Sequence, residues 1–228
     1  MREQAEAIRA VSPTLFPDAH HNHYLMEMLG VLSWARLFPA MPDAADWARH
    51  AAGELERCAR AQLTEDGAQV EGCPSYHNGC MAWFCLARQF AADCGAPLSS
   101  EAESRIRRGI RWAVCAARPC GEEVPWGDSH PGRGFLGSAL LGHLAFDDME
   151  PLATAVRFAG AEAVRAACVN RVWDVSGIDR LLAAVADAAF PARFPAWPRV
   201  VWQRGVKQVS LRTDWGADAA SLFFACLT

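Results

Sequence analysis

Two short stretches of the 228-residue chain hold the side chains most able to do chemistry. The first is His20-His21-Asn22-His23-Tyr24, placed where an amphipathic helix should begin. A helix N-terminus carries partial positive charge and free N–H groups, so this position suits a carboxylate ligand. The second is Glu71-Gly72-Cys73-Pro74-Ser75-Tyr76-His77, a loop that opens another helix. Side chains on such a loop point into a cleft more readily than into a core. Tyrosine is rare, with Tyr24 and Tyr76 alone, so Tyr76 stands out. A third stretch, the loop from Pro119 to Pro131, holds Trp126, Asp128 and His130, with Arg133 just beyond.

The elements that position these residues follow from hydrophobic spacing. Leu25, Met28, Leu29, Leu32 and Ala35 share a helical face that ends near Phe38-Pro39. Asp43 is placed to cap a helix lined by Trp47, Ala51, Leu55 and Cys58, which stops before Glu65-Asp66-Gly67. A third helix is predicted from about Tyr76 to Ala92. A fourth, capped by Ser99 or Ser100, shows Ile106, Ile110 and Val114. Shorter helices are predicted over 134–146, 151–159, 161–169 and 178–189. Paired helices of about forty to fifty residues are the repeating unit of such architectures.

After Phe190 the pattern changes. Pro191, Pro195 and Pro198 punctuate a linker, and 199–203, 206–212 and 221–226 alternate in the manner of strands, with Gly205 marking a tight hairpin. Two or three strands make no stable sheet alone. The reading is a helical portion, 1–195, followed by the start of a truncated β domain, 196–228.

Composition excludes several classes. Hydrophobic residues are 52% and charged residues 21%, which supports a packed core and argues against disorder. With a net charge of -4 and no long basic run, nucleic acid is not an expected partner. No stretch approaches ~20 uninterrupted apolar residues, so no membrane span is expected. The nine cysteines include no CxxC pair and are odd in number; they read as small buried hydrophobes of a reducing compartment. The N-terminus lacks an apolar signal-peptide core, which places the chain as written in the cytoplasm. A signal lost upstream would make it periplasmic or secreted.

Asn22-His23 before an amphipathic helix, followed about fifty residues later by Glu71-x-x-Pro74-Ser75-Tyr76-His77, resembles the heparinase II/III-like polysaccharide lyases, which include alginate lyases. Gly127-Asp128-Ser129-His130-Pro131-Gly132-Arg133 and the stretch 206–226 resemble that family's Gly-Asp-Ser loop and its first β-sandwich strands. The resemblance runs from about Ser12 onward. It implies a mainly α chain: an incomplete (α/α) toroid of helical hairpins, then the first strands of a β-sandwich. It also implies β-elimination on a uronic-acid polysaccharide or oligosaccharide. Asn22 and His23 match the pair that neutralises the uronate carboxylate, and Tyr76 matches the catalytic tyrosine. A phenol with a pKa of about 10 serves readily as the acid; as a base it needs a pKa lowered by cations. His77, Trp126, Asp128, His130 and Arg133 are the substrate-binding candidates. No cofactor is evident, and the family's metal site falls in the β domain that this chain does not complete. The chain begins only about twenty residues before Asn-His and stops within the sheet, so it reads as a fragment, with exposed strand edges that favour self-association.

Duller readings compete. Asn-His at a helix start is often a cap with a solvated neighbour. Tyr76 reads equally as a helix-start aromatic at the surface. His50 reads as solvated, His143 as a core histidine, and Glu27 as an i,i+4 partner of His23 or a surface carboxylate. A toroid-fold glycoside hydrolase would need two cleft carboxylates, for which Asp128 and Glu71 are the nominees. An inactive glycan-binding remnant is the third reading.

Overall fold

The computed structural model describes residues 2–171, 178–186, 197–216 and 218–226. In chain order the elements are α1 (Arg2–Leu15), α2 (Asn22–Leu37), α3 (Ala44–Gln62), α4 (Pro74–Asp93), α5 (Ser100–Ala116), α6 (Phe135–Phe146), α7 (Met149–Ala159), α8 (Ala161–Arg171) and α9 (Ile178–Ala186). Strands β1 (Val200–Gln203), β2 (Gln208–Arg212) and β3 (Ser221–Ala225) follow. The chain is thus mainly α with a small three-stranded sheet after the helices, as the sequence patterns imply.

The helices pack as hairpins, α2 on α3, α4 on α5 and α6 on α7. The spacing-derived faces are the buried ones: Leu25, Met28, Leu29, Leu32 and Ala35 on α2, and Trp47, Ala51, Leu55 and Cys58 on α3. Burial of such side chains is worth roughly 1.5–3 kcal/mol each. Helix α6 is buried almost all round, with Phe135, Ala139 and Leu140 inside. Small residues let its neighbours come close: a Cβ on Gly142 would lie 2.8 Å from Ile110 Cδ1.

Three helices run in one direction. Arg36, at the end of α2, pairs with Asp93, at the end of α4, at 2.7 Å. Ser138, in the first turn of α6, donates to the Asn78 carbonyl near the start of α4. The N-termini of α2, α4 and α6 therefore share one end of the bundle.

Several boundaries differ from the sequence patterns. Helix α1 was not anticipated; Ala5 and Ser12 are its buried positions, a sparse face that periodicity detects poorly. Helix α4 starts at Pro74, since proline at the first helical position loses no needed N–H. Asp43 precedes α3 but its carboxylate does not cap it; it accepts from the Trp47 indole at 2.9 Å and from Arg2. Ser99 is the cap of α5, accepting from the Ala102 N–H. Strand β2 begins at Gln208 because Arg204–Val206 form a 3-10 turn and Lys207 takes a left-handed φ of 53°. Gly205 sits in that turn, where a side chain would run into Thr64.

The sheet is antiparallel in the order β1-β2-β3, with Val200 opposite Leu211 and Leu211 opposite Leu222. One face leans on the helices. Buried Arg212 donates to the carbonyls of Cys115 and Ala117, both at 2.7 Å, and stacks over Trp215 at 3.8 Å. It thereby supplies the donor that the end of α5 lacks. Gln208 donates to the Gly72 carbonyl at 2.7 Å, tying β2 to the segment before α4. The opposite face exposes Val200, Trp202, Leu222 and Phe224. The linker and the 195/196 boundary expected from the sequence, and residues 187–189 of the last predicted helix, lie outside the described residues. Within those residues no helix is long and apolar enough to cross a membrane.

Replacing Arg212 by Met should leave two buried carbonyls without donors. Urea unfolding should report a loss of roughly 2–4 kcal/mol.

Candidate active site

The end of the bundle where α2, α4 and α6 begin gathers the residues picked out by type. Asn22 is the first residue of α2 and His23 the second. His21 caps the helix, its Nδ1 accepting the His23 N–H at 3.2 Å, and the two imidazoles lie edge to face at 4.6 Å. His20, His21 and His23 are exposed, and Asn22 is half-buried with its carboxamide oxygen unpartnered among the described residues. No hydrogen bond or ion pair joins His23 to Glu27 there, so of the two readings of Glu27 the orienting contact is not formed, and its Oε2 is buried without a partner among the described residues.

A chain of buried polar contacts connects this turn to the start of α4. The Gln62 amide, at the end of α3, donates to the carbonyls of Ala19 and His21 at 2.7 and 2.9 Å. The Gln62 carbonyl accepts from Val70 at 2.9 Å, and Leu63 bridges to Gln69. The Gln69 N–H donates to His77 Nδ1 at 3.1 Å, and His77 Nε2 lies 2.8 Å from the Gly109 carbonyl on α5. Those partners fix the tautomer: Nδ1 accepts, so Nε2 carries the proton. Tyr24 and Glu54 add a second anchor, the phenol donating to the carboxylate at 2.5 Å, and Arg57 pairs with the same carboxylate.

His77 is therefore not a substrate contact. It is 0% exposed, its ring tilted against Trp112 with centroids 4.0 Å apart, and both ring nitrogens are engaged inside the fold. The expectation that it binds substrate is corrected on that ground: a ring without surface cannot touch a bound sugar. Burial pushes its pKa down to about 3, against a small opposing effect of the Gly109 carbonyl.

Tyr76, in contrast, is 37% exposed. Its hydroxyl donates to Asp128 Oδ2 at 2.8 Å, so the structure brings together α4 and the loop between α5 and α6. That loop is pinned by Glu123, a buried carboxylate accepting from the Ser75 hydroxyl at 2.7 Å and the Asn78 amide at 2.6 Å. The Ser129 hydroxyl accepts from the Ser75 N–H at 2.9 Å and contacts Cys73 Sγ. The hydrogen bond and then the charge of Asp128 raise the Tyr76 pKa above its ordinary value. Trp126 is half-buried and faces Phe223 of β3, with ring centroids 6.2 Å apart. His130 and Arg133 are exposed, and their side chains make no hydrogen bond or ion pair among the described residues. Glu71, the second carboxylate a hydrolase would need, accepts from the Gln69 side chain at 3.0 Å.

Glu123, Ser129, Gln62 and Gln69 escaped sequence reasoning. Ser129 is the serine of the Gly-Asp-Ser motif, which offered a local signal though no role. Gln62 and Glu123 act on groups far off in the chain, and Gln69 acts on nearby His77 and Glu71 through a turn that no local pattern announces. Among the described residues no three His, Cys, Asp or Glu side chains gather to hold a metal ion.

The family model described as "Heparinase II/III N-terminus" matches residues 4–135, more than half of the chain. The chain belongs to this heparinase II/III family. The match takes in the α2 start, Tyr76 and the whole loop up to α6. No curated relative matches the sequence. The fold is similar to a solved heparinase III, with TM-score 0.72 at 16% identity over 98% of this chain and 31% of that one. It is also similar to a heparinase III described as the BT4657 gene product, with TM-score 0.65 at 19% identity over 90% of this chain and 28% of that one. The heparan sulfate lyase HepC from Pedobacter heparinus has TM-score 0.59 at 16% identity, over 90% of this chain and 28% of that one. The chain thus spans less than a third of the length of the solved structures it matches.

The buried imidazole has a testable consequence. Its folded pKa lies below the unfolded value of about 6.5, so on acidification the unfolded state binds the proton first. The stability is fully present above about pH 6.5 and is lost towards pH 3, by at most about 1.4 kcal/mol per pH unit. Urea unfolding between about pH 7 and about pH 4 should show this slope in the parent and a flatter one in His77→Gln.

Proposed function

We propose that the chain carries part of the active site of a polysaccharide lyase, acting on a uronic-acid polysaccharide by β-elimination, in a helical toroid of which these hairpins are a portion. The observation that carries the reading is the common end of α2 and α4, where the Asn22–His23 turn and Tyr76 are joined by the Gln62–Gln69–His77 contacts. Membership of the heparinase II/III family supports it, as does the likeness of the fold to a heparinase III and a heparan sulfate lyase.

The chemistry makes demands these residues answer. The proton at C5 of a uronate is weakly acidic until donors neutralise the adjacent carboxylate, and such donors work best where negative charge develops. Asn22, His23 and the free N–H groups of the α2 start are donors of that kind. Elimination also needs a group to protonate the departing glycosidic oxygen. Tyr76 serves as that acid: the group against its phenol is a carboxylate, which favours the protonated form. Half-buried Trp126 and exposed His130 and Arg133 are the proposed sugar and anion contacts. An acidic polysaccharide or oligosaccharide is the substrate class.

The test uses the conjugated C4–C5 double bond that elimination creates, which absorbs ultraviolet light. The purified chain, mixed with a panel of uronate polysaccharides, should raise the absorbance on at least one. Tyr76→Phe should lower the rate by roughly 10²–10⁴-fold. Folded parent protein that acts on none of them sinks the proposal.

A further inference from the structure

We propose that Asp128 is the positioning residue of Tyr76: it aims the phenol and keeps its proton in place, so that Tyr76 enters elimination as the acid and another group must take the C5 proton. This rests on the lyase reading above. The contact is a 2.8 Å hydrogen bond from the phenol to Oδ2, and among the described residues it is the hydrogen bond that holds the phenol. The groups that face the phenol are Asp128 from the loop and Glu71 and Cys73 from the segment before α4, all of which favour the neutral form. His130 and Arg133, on the same loop as Asp128, make no hydrogen bond or ion pair with either residue. A base-type tyrosine needs cations at its oxygen, and this one has a carboxylate.

Asp128 is itself held in place. Its neighbour Ser129 is anchored to Ser75 and Cys73, one and three residues before Tyr76, and Glu123 ties the same loop to Ser75 and Asn78. The loop and the first turn of α4 are therefore stitched together on both sides of the phenol. Such support keeps a catalytic group within the narrow geometry that proton transfer needs.

The step balances without an outside reagent. The C4–O bond breaks and its electron pair leaves with the glycosidic oxygen, which takes the phenol proton. The C5–H pair becomes the C4–C5 double bond, and the C5 proton passes to a neutral imidazole. The exposed imidazole of His20, which has no other task in this scheme, stands at the same end of the bundle, just before the α2 turn. The imidazolium then returns its proton to the phenolate, restoring both groups.

Two readouts test this, and they separate its failure from that of the lyase reading. The chain has two tyrosines, so carbon-13 labelling of the phenol carbon gives two signals, assigned with Tyr24→Phe. In Asp128→Asn the Tyr76 titration midpoint should fall back to about 10, with Tyr24 unmoved. In the ultraviolet assay the same variant should lose roughly 10–100-fold in kcat. Its KM should change far less, the fall in rate at high pH should begin at lower pH, and Asp128→Glu should recover part of the loss. An unmoved Tyr76 midpoint in Asp128→Asn overturns the proposal whether or not the protein cleaves anything. A moved midpoint with an unchanged pH–rate profile overturns the acid role. A parent inactive on every polysaccharide overturns the lyase reading and with it the acid role, while the midpoint still decides the contact.

Discussion

Buried backbone groups outside helices must find partners, and in this chain that constraint organises the end where three helices begin. In the turn before α2 the Ala19 carbonyl finds its donor in Gln62, which also donates to the His21 carbonyl beside the Tyr24 N–H. The turn before α4 leaves the Gln69 N–H, and His77 takes it. An unmade buried hydrogen bond costs about 1–3 kcal/mol, comparable with a large part of a domain's net stability. The relay is therefore a condition of the fold, and it also fixes where Asn22, His23 and Tyr76 can be.

The same logic explains why the most reactive-looking residue types have divided roles. Tyr76 and His77 are adjacent in sequence, yet the helical turn sends one ring to the surface and the other into the interior. His77 stays neutral because burial penalises the imidazolium, and it works by accepting and donating at fixed distances. Tyr76 holds its proton more tightly because a carboxylate accepts the hydrogen bond of its phenol. Neither behaviour is a property of the residue type; each follows from what the first turn of α4 is packed against.

The sheet shows the dependence at a larger scale. Its inner face carries Gln208 and Arg212, polar residues that would be costly to bury unpartnered. They are accepted because Gly72 and the last carbonyls of α5 need donors. In this way the sheet is joined to the segment that leads into α4 and to the helix that supports His77. Trp126 and Phe223 extend the junction to the loop bearing Asp128.

Much of this was legible in the sequence, and for a local reason. Hydrophobic spacing is written residue by residue, so the buried faces of α2, α3 and α5 and the three strands could be read directly. The Asn22–His23 and Ser75-Tyr76-His77 motifs marked the family, and with it the candidate site, because both are short and contiguous. Helix α1 was missed because its buried face is thin. What the tertiary structure alone decided is partnership: that His77 faces inward, that Asp128 meets the Tyr76 hydroxyl, and that Glu123 and Gln62 hold the two turns. Those contacts join residues from 8 to 52 positions apart, through donors and acceptors whose identity gives no hint of a distant mate. Periodicity records which side of a helix is apolar, but a hydrogen bond between separate elements exists only once packing has brought them together.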